Sequence, residues 1–448
     1  MHRFEPSSTR DEALFRPIEQ TGARFYLTVG ALVAIILFAV VMYARQIVLG
    51  LQVTGMMQPV TWGFYIVNFV FFIGISHAGT LISAILRLTQ AEWRRPITRM
   101  AEVITAIALA IGGLHPIIDL GRPDRVLNVF LFGRLQSPLL WDVTSISAYF
   151  AASTVYLFLP LIPDIALLQE RGKKHRWLYE FLSWGWQGTP RQWKVLSRAI
   201  NIMMIVVVPI AVSVHTVISY IFAMTLQSGW HSTIFGPYFV VGAIFSGIAA
   251  LFVAMIAFRS AFRLQAYLKL VHFQQLAKLL LAMSILWTYF TFGEYLTGYY
   301  GGEPEEMKTL LYKLTGRYAP LFWTMIVCNF VVPVLLLSHR RLRTIPGILV
   351  ASITVLIGMW LERLIIVVPS LENPRMPFPS HIYIPSLTEI SLFAGGLALF
   401  ALGFVLFSKF FPIVSVWEVQ EGRALGKEET VERVESYLPD DEVAHAGA

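Results

Sequence analysis

The chain has 448 residues, 56% of them hydrophobic and only 14% charged. That balance excludes an ordinary soluble domain and reads as a polytopic membrane protein. A single cysteine, Cys328, excludes a disulfide framework, a Cys-rich zinc site and a Cys-ligated iron–sulfur cluster in this chain. No Gly-rich phosphate loop follows a strand, which argues against nucleotide hydrolysis. The formal charge of +7 is no nucleic-acid signal, because the basic residues sit between apolar runs, where topology and anionic lipid account for them.

Residues 1–24 form a polar arm without a small-residue cleavage site, so no signal peptide is expected. A helix needs roughly 20 apolar residues to cross a bilayer. Ten runs qualify, near 25–44, 60–86, 98–118, 138–161, 200–226, 235–258, 274–297, 319–337, 346–368 and 387–411. None has the alternation of a barrel strand. The expected fold is therefore an all-α integral membrane protein with ten ordinary spans in a membrane domain over 25–411. The Trp-rich loop 162–198 is expected at the interface, and the tail 412–448 as a partner-contacting or loosely ordered end.

Charge sets the expected orientation. Of the 35 Lys and Arg residues, 25 fall on the side of the two termini and 8 on the opposite side. The positive-inside rule puts both termini in the cytoplasm of a cell membrane. One internal echo stands out. Span four opens Pro138-Leu139-Leu140-Trp141-Asp142, and span eight opens Pro320-Leu321-Phe322-Trp323-Thr324. It predicts two related four-helix bundles, spans two to five (about 60–226) and six to nine (about 235–368), flanked by spans one and ten.

Span three ends Gly112-Gly113-Leu114-His115-Pro116-Ile117-Ile118-Asp119-Leu120-Gly121-Arg122-Pro123-Asp124-Arg125. His115 and Asp119, four residues apart, lie on one helical face. Asp142 opens the next span near the same outer surface, and Ser145 and Tyr149 follow it at helical spacing. Together they suit a quinone hydroxyl or carbonyl. Imidazole exchanges a proton near neutral pH, and a carboxylate takes a second or orients the ring. The structural alternatives are that His115 and Asp119 close a helix, that Asp142 caps one, and that Arg122 and Arg125 pair with Asp119 and Asp124.

Ionisable side chains within spans cost roughly 2.5–3.5 kcal/mol on insertion scales, so each needs a reason. His77, His215, Lys278, Glu294, Glu362 and Arg363 form a candidate proton path or structural glue. Glu362 and Arg363 are adjacent and are expected to face apart, with Glu294 and Arg363 as a cross-helix pair. His77 reads as inner, and His115 and His215 as outer at unequal depths, so a bis-His haem is not expected. The scattered histidines make no zinc motif.

Trp62-Gly63-Phe64-Tyr65, Ser76-His77-Ala78-Gly79, Leu114-His115-Pro116 with Asp119-Leu120-Gly121-Arg122-Pro123, and Ser137-Pro138-Leu139-Leu140-Trp141-Asp142 carry a resemblance. The chain resembles the membrane subunits of the polysulfide-reductase, NrfD-like family over spans two to nine. With a flanking helix at each end it looks most like the quinol-oxidising membrane subunit of bacterial alternative complex III. The resemblance implies a respiratory subunit that oxidises menaquinol or ubiquinol near the periplasmic side. Trp62, Tyr65 and Arg122 would join the pocket. Electrons would pass to a periplasmic iron–sulfur subunit, with c-type cytochrome subunits and a second related membrane subunit as further partners. Proton release and proton translocation would accompany turnover in the bacterial inner membrane. The competing expectations are a proton-conducting or structural anchor that binds no quinone, and, last, a secondary transporter.

Overall fold

The computed structural model describes residues 12–89, 91–171, 175–379 and 381–424. It is all-helical, and ten of its helices are long and apolar enough to cross a membrane. A short amphipathic helix, α1 (Glu12–Glu19), precedes the first span, α2 (Ala23–Leu49). Then come α3 (Phe64–Leu88), α4 (Thr98–Asp119), the single turn α5 (Asn128–Leu131), α6 (Pro138–Arg171), α7 (Arg176–Leu182) and α8 (Pro190–Ala223). The second half holds α9 (Phe235–Ala261), α10 (Leu270–Gly301), α11 (Pro304–Leu314), α12 (Ala319–Ile326), α13 (Val332–Ser338), α14 (Ile345–Glu372) and α15 (Leu387–Phe410).

The packing follows the echo. Helices α3, α4, α6 and α8 close one four-helix ring, and α9, α10, α12–α13 and α14 close another. The rings meet along α3, α8 and α9, while α2 lies on α15 at the edge. The indoles of Trp141 and Trp323 play the same part in the two copies. Each donates to a carbonyl of the segment before its helix, Leu135 O at 2.5 Å in a loop and Leu314 O at 3.2 Å at the end of α11. We call the end that holds α1 and residues 412–424 the terminal end, and the opposite one the far end.

Three expectations change here. First, α6 and α8 are 34 residues each and run well past the apolar stretches, so much of 162–198 is helix. Thr189 and Gln192 form a reciprocal cap at the start of α8, which is why that helix begins in polar sequence. Trp177 and Trp184 remain exposed beside it. Second, span eight is not an ordinary helix. A π-helical segment, Val327–Val331, joins α12 to α13. Pro333 has no N–H for the carbonyl of Asn329, and Ser284 Oγ of α10 donates to that carbonyl instead, at 2.6 Å. Third, the start of the tail is docked. Val414, Val416, Trp417 and Glu418 are buried, and Asp164 of α6 accepts from the Val416 and Trp417 amides at 3.0 and 3.1 Å. The rest of the tail, 425–448, lies outside the described residues.

Small residues bring helices together where polar groups must meet. Gly79 of α3 lies against the backbone of Ala101 in α4, and a Cβ there has no room. Beside it Thr105 Oγ1 donates to Ser76 O at 2.6 Å.

Candidate functional site

At the far end, α4 carries His115 one turn before its last residue, Asp119. His115 is buried, with Phe72 of α3 stacked on its ring at 5.4 Å. Its Nδ1 lies 2.9 Å from the carbonyl of Ile111. A carbonyl can only accept, so Nδ1 carries the proton and Nε2 carries the lone pair. That Nε2 is buried and has no partner. One turn on, Asp119 Oδ1 is also buried and unpartnered, and so is Asp142 Oδ1 in the first turns of α6. Native proteins satisfy most buried polar atoms, so three orphans at one end of one bundle make this the candidate site.

The walls differ from the expected set. Tyr65 is fully buried, but it faces α2, donating to Gln46 Oε1 at 2.6 Å. Gln46 in turn donates to Ile118 O at 2.9 Å, which fastens α2 to the end of α4. Glu389 of α15 belongs to the same electrostatic group as Asp119 and Tyr65. Its carboxylate takes the Gly55 amide at 2.7 Å, the Ser386 amide at 2.8 Å and the Tyr383 hydroxyl. Sequence reasoning missed Glu389. The available signal was Ser386 three residues before it, a capping box that explained the glutamate without a site.

Three expected pocket members, Arg122, Trp62 and Tyr149, lie elsewhere, while Ser145 stays beside Asp142. Arg122 is exposed and pairs with Asp124 at 3.1 Å, so it is turned to the surface and not to Asp119. Trp62 stacks on Trp230 at 5.8 Å and meets Phe222 at 5.9 Å, next to α8. Ser145 spends its hydroxyl on Asp142 O at 3.0 Å. Tyr149 is two turns deeper than Asp142, about 10 Å along the helix, and packs on His77 at 4.9 Å. Among the described residues no hydrogen bond or ion pair joins Asp142 to His115 or Asp119, so the two carboxylates stand as separate groups.

A second polar set crosses the junction of the bundles. His77 lies near the middle of α3, and its ring sits 3.6 Å from that of His215 on α8. The expected mismatch in depth is wrong, because run boundaries do not fix how far two helices slide past each other. His77 Nε2 lies 2.6 Å from Ala211 O and Nδ1 3.1 Å from Ile73 O, while both nitrogens of His215 are unpartnered. Arg363 of α14 acts electrostatically on His215 and stacks over Phe239 at 5.0 Å. Against expectation Arg363 pairs with its neighbour Glu362, because the long arginine side chain curls back along its own helix. Glu362 also accepts from Trp287 Nε1 at 2.7 Å. Glu294 accepts from Ser232 rather than from Arg363.

A cavity of about 50 Å³ joins Glu294, Tyr238 and Glu362 to Lys313 of α11. It is roomy enough for water and gathers these polar groups within a mainly apolar wall. Lys278 is no part of this set. It is exposed on α10 and bonds Gln275 at 3.0 Å, pointing away from the bundle.

Lys313 gives a pH dependence that is open to measurement. Burial pulls its ammonium down to about 8, against the opposing pull of Glu294 and Glu306. Between about 8 and its ordinary 10.5 the unfolded chain holds this proton and the folded one does not. Stability should therefore rise with pH across that window, and Lys313→Met should flatten the rise in thermal unfolding of detergent-solubilised protein.

Comparison with known proteins fits this architecture. The family described as Polysulphide reductase, NrfD matches residues 52–373. The chain is 28% identical over 228 residues to a Halobacterium salinarum protein named provisionally as a membrane subunit of dimethyl sulfoxide reductase. That match spans 51% of this chain and only 50% of the relative. It is 24% identical to a selenate reductase subunit of Mesobacillus selenatarsenatis, over 79% of this chain and 83% of that one. It is 22% identical to the Hdr-like menaquinol oxidoreductase integral membrane subunit of Archaeoglobus fulgidus, over 91% and 98%.

Proposed function

This chain belongs to the polysulphide reductase NrfD family, and we propose that within it the protein is the membrane subunit of a respiratory quinol:electron-acceptor oxidoreductase. The observation that carries the reading is the unpartnered, lone-pair-bearing Nε2 of buried His115, one turn from the unpartnered Oδ1 of Asp119. A quinol gives up two electrons and two protons. One hydroxyl donates to His115 Nε2 as the electrons leave, and a carboxylate, Asp119 or Asp142, takes the second proton. Glu389, already holding the Gly55 and Ser386 amides and the Tyr383 hydroxyl, braces the wall of the pocket. With the terminal end cytoplasmic, as the positive-inside rule requires, these protons are released on the outer side. The electrons pass to a partner, and an iron–sulfur protein on that face is the class that fits. The Archaeoglobus relative's name supports menaquinol as the substrate. Likeness to alternative complex III supports c-type cytochromes and a second related membrane subunit as partners.

An azidoquinone tests the pocket. It should label peptides from α4 and the start of α6, and quinol should compete for the label. Label confined to α9–α14 would remove the assignment. Asp142→Asn should lower quinol oxidation at least about tenfold in a complex that still assembles, and unchanged turnover would release Asp142 from the site.

A second reading rests on the row Glu294, Glu362, Arg363, His215 and His77. It runs from the far-end cavity to the junction of the bundles, and continues through Ser76 and Thr105 toward Ser83 and Glu102, which bond at 2.8 Å. In this reading the chain conducts protons, with or without a quinone. Glu362→Gln should then abolish proton uptake in vesicles while quinol oxidation under uncoupled conditions continues.

A further inference from the structure

An open groove of about 1180 Å³ runs along α15, between it and α9 and α14, with α3 as its floor. It exceeds the roughly 300–1,000 Å³ of ordinary small-molecule sites. The walls toward the terminal end are apolar, with Ala254, Phe258, Phe262, Ala401 and Phe404. The terminal end itself is basic. Arg16, Arg24, Arg263 and Lys409 line it, and no carboxylate is among the described lining residues.

These cations have different tasks. Lys409 is bound to the carbonyls of Pro17 and Gln20 and to Thr21 Oγ1, the last at 3.1 Å. It pins the link between α1 and α2 as the end wall of the groove. Arg16, Arg24 and Arg263 are exposed, and none is in an ion pair among the described residues. Arg263 is held at φ 55°, the left-handed region that a side chain with a Cβ rarely adopts. Strain of this kind persists where surrounding structure imposes it, and it often marks a ligand contact.

We propose that this groove is the resident site of one anionic phospholipid from the leaflet at the terminal end. Its acyl chains lie along α9 and α15, and its phosphate sits among Arg16, Arg24 and Arg263. Guanidinium groups bind phosphate oxygens through paired, charge-assisted hydrogen bonds. A zwitterionic lipid brings its own cation into the basic end and is disfavoured there. A crossing helix of another subunit would have to bring carboxylates to match three arginines at the membrane surface.

The test uses the complex purified in mild detergent, with native mass spectrometry during titration by phosphatidylglycerol or by phosphatidylcholine of equal chain length. Wild-type complex should retain phosphatidylglycerol preferentially. Each basic residue near a membrane surface is worth about 1 kcal/mol, so combined Arg16→Gln, Arg24→Gln and Arg263→Gln should weaken phosphatidylglycerol binding by roughly 100-fold. Phosphatidylcholine binding and the melting temperature should stay unchanged. Ala401→Trp, which narrows the apolar wall and leaves the arginines in place, should weaken both lipids. Equal wild-type affinity for the two lipids overturns the proposal, as does a triple variant that keeps its preference. Capture of a partner subunit or of residues 425–448 by a photo-crosslinker at position 401, in place of lipid, also overturns it.

Discussion

His115→Gln should reduce quinol oxidation by about 10²- to 10⁴-fold, the usual contribution of a positioned general base. That is about 3–5 kcal/mol of transition-state stabilisation. Glutamine preserves much of the shape against Phe72 and can still bond the Ile111 carbonyl, but its amide has no proton-accepting nitrogen. The loss should therefore appear in kcat, with KM for quinol little changed, because the proton is transferred only as the reaction proceeds. Lys278→Gln is the control. Its side chain is exposed and turned away from both polar sets, so turnover should match wild type. Steady-state oxidation of a soluble quinol analogue by the assembled complex reads both. A His115→Gln complex that assembles and turns over normally would leave the orphan nitrogen without a catalytic part.

The ten spans and the two-bundle packing were legible because a lipid-facing helix must be apolar over its whole crossing, and no tertiary contact can substitute for that. The ends of α6 and α8 were not legible, since both helices leave the hydrocarbon and continue in polar sequence held by caps and docking. Local sequence placed His115, Asp119 and Asp142 at one end of the bundle, but it could not place Tyr65, which turned to α2. The offset between neighbouring helices has no local signature. That is why His77 and His215 read as belonging to different depths although their rings touch. Glu362 and Arg363 show the same limit from another side. Helical spacing sends adjacent Cβ atoms apart, yet an arginine is long enough to return. Glu389 and Glu418 were hidden because each has a ready local explanation, a capping box at the start of the last span and a charged tail.

Glu418→Ala should have the largest effect on stability. The Glu418 side chain is 2% exposed, and its carboxylate takes Arg87 at 2.6 Å and Arg94 at 3.3 Å, while Arg95 donates to its backbone carbonyl at 3.0 Å. Arg87 and Arg94 are themselves only 10% and 9% exposed. Removing the carboxylate leaves two nearly buried guanidinium groups without an ion-pair partner among the described residues, which typically costs about 3–5 kcal/mol. The substitution should therefore lower the melting temperature markedly and free residues 412–424 for proteolysis. Glu421→Ala is the contrast. That carboxylate also pairs with Arg95, but it is 53% exposed, so its loss should cost under about 1 kcal/mol. The pH dependence has a definite sign. Burial alone raises the Glu418 carboxyl, but Arg87, Arg94 and Arg99 outweigh it and hold it below its ordinary 4.5. Its contribution is thus fully present above about 4.5 and is lost as pH falls through the lower folded value. Thermal unfolding followed from pH 7 to pH 3 should show wild type converging on Glu418→Ala at the acid end. Parallel curves over that range would mean that the tail is held by Val414, Val416 and Trp417 and not by the ion cluster.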